Sequence, residues 1–181
     1  MHAKTAWAPC RAPARLRHSG PLEQRCSLTL ATTLNYVPSS TEHVPLVFTY
    51  REGSNTALDF ADFIVTLLEH QVVSLGCILV MDNAAVHNDN EDTAAAFDRL
   101  ETAGVLIRRL PTYSPELNPC ELVFAFVKNH LRTVSDRIMG PAGYLVDRPF
   151  KERLSDALGL VTQELVHKYY NKCRRAESSR R

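Results

Sequence analysis

Residues 105–124 read VLIRRLPTYSPELNPCELVF. The first six residues are apolar and basic, and Gly104 before them is a natural helix terminator, so VLIRRL reads as a strand. Pro111, Pro115 and Pro119 then follow at even intervals. Each fixes its own φ and pushes the residue before it away from the helical region, so the chain here is a stiff loop. Asn118-Pro119-Cys120-Glu121 is a helix start, with Asn as N-cap, Pro at the first helical position and Glu at the third, a variant of the capping box. Val123, Phe124, Phe126, Val127 and Leu131 continue it as a core helix. The stretch is therefore strand, rigid loop, helix. Glu121 is open to two readings, a cap for that helix or a carboxylate whose position the loop is built to hold.

Upstream, Ala95, Phe97, Leu100 and Ala103 mark a helix over 91–103 that Gly104 ends. Before it, CILVM at 77–81 is a short continuous apolar run, as in a strand buried on both faces, and it stops at Asp82. Phe60, Phe63, Ile64, Leu67 and Leu68 recur at helical spacing behind Thr56, with Asp59 three residues on to complete a capping box. Residues 26–36 and 44–51 read as two strands paired across the polar turn PSSTEH. Residues 133–149 read as loop, since they carry Gly140-Pro141, Gly143 and Pro149. Residues 150–171 read as one further helix through Leu154, Leu158, Val161, Leu165 and Val166. The order β-β-α-β-α-β-α, then a helix, predicts a mixed α/β layer fold with strands 77–81 and 105–110 parallel.

A chain of 181 residues with 45% hydrophobic content suits one domain with a real core. No run is long and apolar enough to predict a membrane span, and the first residues lack the apolar stretch of a secretory signal. Cys10, Cys26, Cys77, Cys120 and Cys173 are scattered and odd in number, which points to reduced thiols and away from a zinc site. Cys77 and Cys120 stand in apolar contexts as core residues. The net charge of +1 hides a pattern. Lys4, Arg11, Arg15, Arg17 and Arg25 face only Glu23 at the front. Lys168, Lys172, Arg174, Arg175, Arg180 and Arg181 face only Glu177 at the end. Basic ends around an acidic middle suit either a polyanion partner or solubilising tails.

Ligands of α/β sheets collect outside the carboxyl ends of strands, where Asp82 stands. Alone, Asp82-Asn83 is also a good turn dipeptide. Taken together, MDNAAVH at 81–87 and LPTYSPELNPCELVF at 110–124 resemble the catalytic domain of mariner-type transposases, members of the DDE superfamily of endonucleases and relatives of retroviral integrases. The likeness continues through KNHLR at 128–132 and YREGSNTALDFADFI at 50–64, and more loosely through SGPLEQRCSLTLATTL at 19–34.

The resemblance implies a ribonuclease H-like mixed sheet flanked by helices, on which two aspartates and a third acid hold two divalent metals. Asp82 matches the second aspartate and Glu121 the third acid, 39 positions on. His87 matches the histidine of the family's DNAxxH string and is expected beside the metals or the scissile phosphate, or else is a polar loop residue. Two Mg2+ or Mn2+ ions would activate water and stabilise the leaving oxygen at phosphorus. Asp82 and Glu121 are then expected at one end of the sheet, close enough to share a metal.

Further expectations follow for the partner and the organisation. DNA is the partner, with Arg108, Arg109, Lys128, Arg132, Lys172, Arg174 and Arg175 as candidate contacts. Arg108 and Arg109 alternate on their strand, so one at most faces DNA. Tyr113 is expected to pack and hold the proline loop. A homodimer is compatible with the resemblance, no membrane or small-molecule cofactor is implied, and the location is nuclear in a eukaryote and otherwise cytoplasmic. Residues 1–25 read as a basic linker, 26–132 as the nuclease core, and 133–181 as a C-terminal loop, helix and basic tail.

The family's first Asp ends a first strand, and none stands in that context here. Asp59 is the first Asp of the chain, and Glu23, Glu42 and Glu52 are the only acids before it. The resemblance therefore places the first strand and its Asp upstream of Met1, with cleavage impaired without them. The alternative is an inactive remnant that binds nucleic acid or protein.

Overall fold

The computed structural model describes residues 26–34, 45–83, 91–141 and 143–178. The elements are β1 (Cys26–Thr32), β2 (Leu46–Glu52), α1 (Ala57–Glu69), β3 (Ile78–Met81), α2 (Glu91–Thr102), β4 (Leu106–Arg109), α3 (Pro119–Thr133), β5 (Arg137–Met139), β6 (Leu145–Asp147), α4 (Phe150–Gly159) and α5 (Gln163–Ser178), with a 3-10 turn at Pro115–Leu117 before α3. The expected basic linker 1–25, the turn PSSTEH, His87, Arg180 and Arg181 lie outside the described residues. Among the described residues no helix is long and apolar enough to cross a membrane.

The antiparallel pairing of β1 with β2 and the parallel pairing of β3 with β4 agree with the sequence reading. The single mixed sheet does not form among the described residues. β1–β2, β3–β4 and β5–β6 are three separate two-stranded sheets. A physical reason is visible at the free edge of β1. Thr33 N donates to Pro45 O across the hairpin, so the odd-numbered residues face β2 and the carbonyls of Leu30 and Thr32 face away. Side chains of helices fill that edge. Cys120 Sγ lies 3.8 Å from Leu30 O, and Tyr170 Oη donates to Thr32 O at 3.1 Å. Beyond the strand, Gln163 Nε2 donates to the carbonyls of Thr33 and Leu34. The carbonyls that a neighbouring strand would use at Leu30 and Thr32 are thus met by α3 and α5.

Two apolar cores result. In one, Leu30 and Leu46 of the hairpin pack with Val123 and Val127 of α3, Leu154, Ala157 and Leu158 of α4, and Val166 of α5. In the other, Phe60, Ala61 and Ile64 of α1 pack with Ala96, Phe97 and Leu100 of α2 and with Met81 and Val105. Both helices lie on one side of β3–β4. The expectation that 77–81 is buried on both faces is therefore corrected, since Ile78 is 60% and Val80 54% exposed. A continuous apolar run signals a doubly covered strand only where a second layer arrives, and α3–α5 are engaged with the hairpin instead.

Three local readings also change. Residues 133–149 contain the hairpin β5–β6, closed by a Gly140–Gly143 turn and an Arg137–Asp147 ion pair. Residues 150–171 form two helices rather than one, separated at 160–162. The basic end is helical through Ser178. The α1 capping box is present as read, with Thr56 and Asp59 exchanging bonds. Gly104 ends α2 at φ +75°, a left-handed backbone that favours glycine; a Cβ there would meet only the tip of the exposed Leu75, which can turn aside.

Candidate active site

Asp82 follows β3 directly and is half-buried. The parallel ladder fixes it, with Met81 opposite Arg109 and Leu110 N donating to Met81 O at 2.9 Å. Its neighbour Asn83 donates from Nδ2 to Leu110 O at 2.7 Å, which ties the start of the proline loop to the strand end. At the far end of that loop, Asn118 caps α3 by accepting from Cys120 N at 3.0 Å. Only half of the expected capping box exists. The Glu121 carboxylate makes no hydrogen bond to a described residue, and Glu121 is exposed on the first turn of α3. The cap function thus falls to Asn118, and Glu121 is left to face solvent.

Cys120 links the two carboxylates electrostatically. Its thiol contacts Thr32 Oγ1 and Leu30 O on β1. Burial pushes the thiol up to about 11, the Thr32 hydrogen bonds pull the other way, and the charges of Glu121 and Asp82 add to the rise. Both carboxylates therefore lie within electrostatic reach of one sulfur at the junction of β1, the end of β3 and the start of α3. The thiol is neutral at physiological pH, so the sulfur is a poor ligand there and the oxygens of Asp82 and Glu121 are the donors a hard cation would meet.

Arg109 stacks over the Phe97 ring, 5.9 Å from its centroid, on the α2 side. Arg108 is exposed on the alternate side of β4 and donates to Ile107 O. Lys128, Arg132, Lys172, Arg174 and Arg175 lie on helices at the surface, Lys128 and Arg132 on α3 and the rest on α5. Tyr113 does not pack as expected. It is 94% exposed, and the loop is held instead by the buried Ser114, by backbone bonds from Leu117 and Asn118 and by the Asn83 bond.

The family model for DDE superfamily endonuclease matches residues 7–138, which include β1 through α3 and both carboxylates. The chain belongs to the DDE superfamily of endonucleases. No curated protein matches it. For a DDE endonuclease, the relevant test of these residues is their donor chemistry. Carboxylate oxygens suit hard divalent cations such as Mg2+ and Mn2+. Asp82 and Glu121 fit in kind and would supply two ligands. Among the described residues no group of three His, Cys, Asp or Glu is assembled. The sequence reading missed Asn83 and Cys120 as parts of this junction. The turn dipeptide Asp82-Asn83 was the available signal for the first, and nothing in the chain pattern marks the second.

Proposed function

We infer that the chain is the catalytic region of a mariner-type transposase, and that Asp82 and Glu121 hold divalent metal for cleavage and transfer of DNA strands. The observation that carries the reading is the Asn83–Leu110 bond, which ties the strand end bearing Asp82 to the proline loop leading into the helix of Glu121, within a region matched to the DDE endonucleases. A cation bound there would supply activation of water and neutralisation of charge at phosphorus. The chain's own contribution is position. β3 sets Asp82, the Asn118 cap and the prolines set Glu121, and the neutral Cys120 thiol sits near both without competing as a ligand. His87, outside the described residues, would by the resemblance act beside the metals or the scissile phosphate, or else be a polar loop residue, and the basic side chains of α3 and α5 would meet the DNA backbone.

With two carboxylates where this chemistry uses three, the described residues by themselves should bind metal weakly and cleave slowly. Misplacement of reacting groups costs orders of magnitude in rate. That same shortage favours the second reading, an inactive relative that binds nucleic acid or protein. Mn2+ binding by electron paramagnetic resonance and Mg2+-dependent plasmid nicking, on the parent, Asp82→Asn and Glu121→Gln, separate the two. Weak Mn2+ binding that either substitution abolishes supports the metal site. Mn2+ binding or strong nicking that survives both substitutions overturns it, and DNA binding without any metal binding selects the second reading.

A further inference from the structure

The loop 110–118 is tied along its length. Asn83 holds Leu110, Ser114 Oγ donates to Thr112 O, Leu117 N donates to Ser114 O, and Asn118 N donates to Pro115 O. Pro111, Pro115 and Pro119 stiffen what those bonds leave free. In the middle of it Tyr113 has φ +55° and 94% exposure, immediately before Ser114, which is only 6% exposed.

Both features run against what a tyrosine prefers. A left-handed φ is unfavourable for a bulky side chain, and it persists only where the surroundings impose it. Among the described residues the other non-glycine residue with positive φ, Gln71, closes the C-terminal turn of α1, where left-handed residues are usual. Tyr113 has no such position. Other large apolar side chains are exposed too, in a face as with Ile78, Val80 and Leu106 on β3–β4 or singly as with Leu75, but among those described Tyr113 is the most exposed. Tyr113 is a single ring held out from a rigid support. That support joins the strand end bearing Asp82 to the helix bearing Glu121.

We propose that Tyr113 is a stacking platform for an unpaired base of a DNA substrate engaged at the adjoining carboxylates. The proposal rests on the DNA-directed reading above. An aromatic ring on a fixed backbone loses little freedom when it binds, and base–aromatic stacking tolerates any base because every base offers a π-face. A fully paired duplex keeps its bases stacked on one another and offers the ring none. The ring therefore discriminates for DNA with a flap, gap or frayed end beside the site of reaction.

The test uses the full chain in EDTA, so that metal plays no part. The probes are a duplex carrying a short single-stranded flap with 2-aminopurine and the matching fully paired duplex. The parent should bind the flap more tightly and quench its fluorescence. Tyr113→Ala and Tyr113→Gly should weaken flap binding roughly ten- to hundredfold, leave duplex binding unchanged and abolish the quench. Tyr113→Phe should keep both. Tyr113→Gly removes the ring while suiting the left-handed backbone, so a loss shared by Gly and Ala is a loss of the ring and not of the loop. If the parent binds DNA and Tyr113→Ala binds the flap equally well, stacking is overturned and the endonuclease reading stands. If the parent binds neither probe, both fall. If Tyr113→Ala alters self-association by sedimentation but not flap affinity, the ring is a protein contact and the proposal is overturned.

Discussion

Cys120 and Tyr113 show opposite uses of a side chain in one short segment. The Cys120 thiol is half-buried against β1, and its thiolate is opposed by loss of water first and by neighbouring carboxylates second. Its pKa in the fold is raised above the ordinary value near 9.0, to about 11. The stabilising contribution is therefore whole below the ordinary thiol range, falls as pH rises toward about 11, and then levels off. The loss should reach up to about 3 kcal/mol. Urea unfolding of the parent and Cys120→Ala across the alkaline range checks this: burial also raises Tyr170 and Cys173, so both proteins should lose stability, and the parent should lose more. Tyr113 carries strain rather than burial. Tyr113→Val should cost about 1–2 kcal/mol, because a β-branched residue tolerates positive φ least. Tyr113→Gly should be neutral or stabilising by up to ~1 kcal/mol. Equal stability of the two variants would mean that the left-handed backbone is not held in solution.

At the scale of elements, two helix starts that look alike in sequence differ in structure. Thr56 and Asp59 form the reciprocal box on α1. On α3 the cap is Asn118 alone. Asn118→Ala should cost about 1 kcal/mol, while Glu121→Gln, which removes no cap bond, should cost less than ~1 kcal/mol. A larger cost for Glu121→Gln than for Asn118→Ala in chemical denaturation would return Glu121 to the capping role. The break between α4 and α5 was hidden because Leu154, Leu158, Val161 and Leu165 keep helical spacing across it. Its local signal is Thr162, whose Oγ1 accepts from Leu165 N at 3.2 Å. The break lets α5 turn back so that Gln163, His167 and Tyr170, one helical face, meet the carbonyls of Thr32, Thr33 and Leu34.

In the whole molecule, α5 carries its cations on an ordered helix rather than a free tail. Replacing Lys172, Arg174 and Arg175 together by Gln should leave the fold intact, since none of the three is buried. It should lower the slope of log affinity for duplex DNA against log salt by about 0.9 for each phosphate that these side chains neutralise. An unchanged slope would mean that α5 does not touch DNA.

The local elements were legible in the sequence because each rests on near neighbours. Helical spacing marked α1, α2 and α3, Thr56 and Asn118 marked helix starts, and Gly104 marked a stop, all through interactions within a turn or two of chain. The pairing of β3 with β4 followed from the helix between them. Asp82 and Glu121 were legible as candidates because the motifs around them resemble a known family. What only the tertiary structure decided is where distant segments meet. Periodicity shows that a strand is apolar, but not whether one face or two will be covered, and so it missed the open face of β3–β4. It could not foresee that Cys120 and Tyr170 would take the carbonyls at the edge of β1, because those bonds join segments far apart in the chain. Nor could it separate a packed Tyr113 from an exposed one, since ring and loop are the same in both and only the bonds of Asn83 and the burial of Ser114 settle which way the ring points.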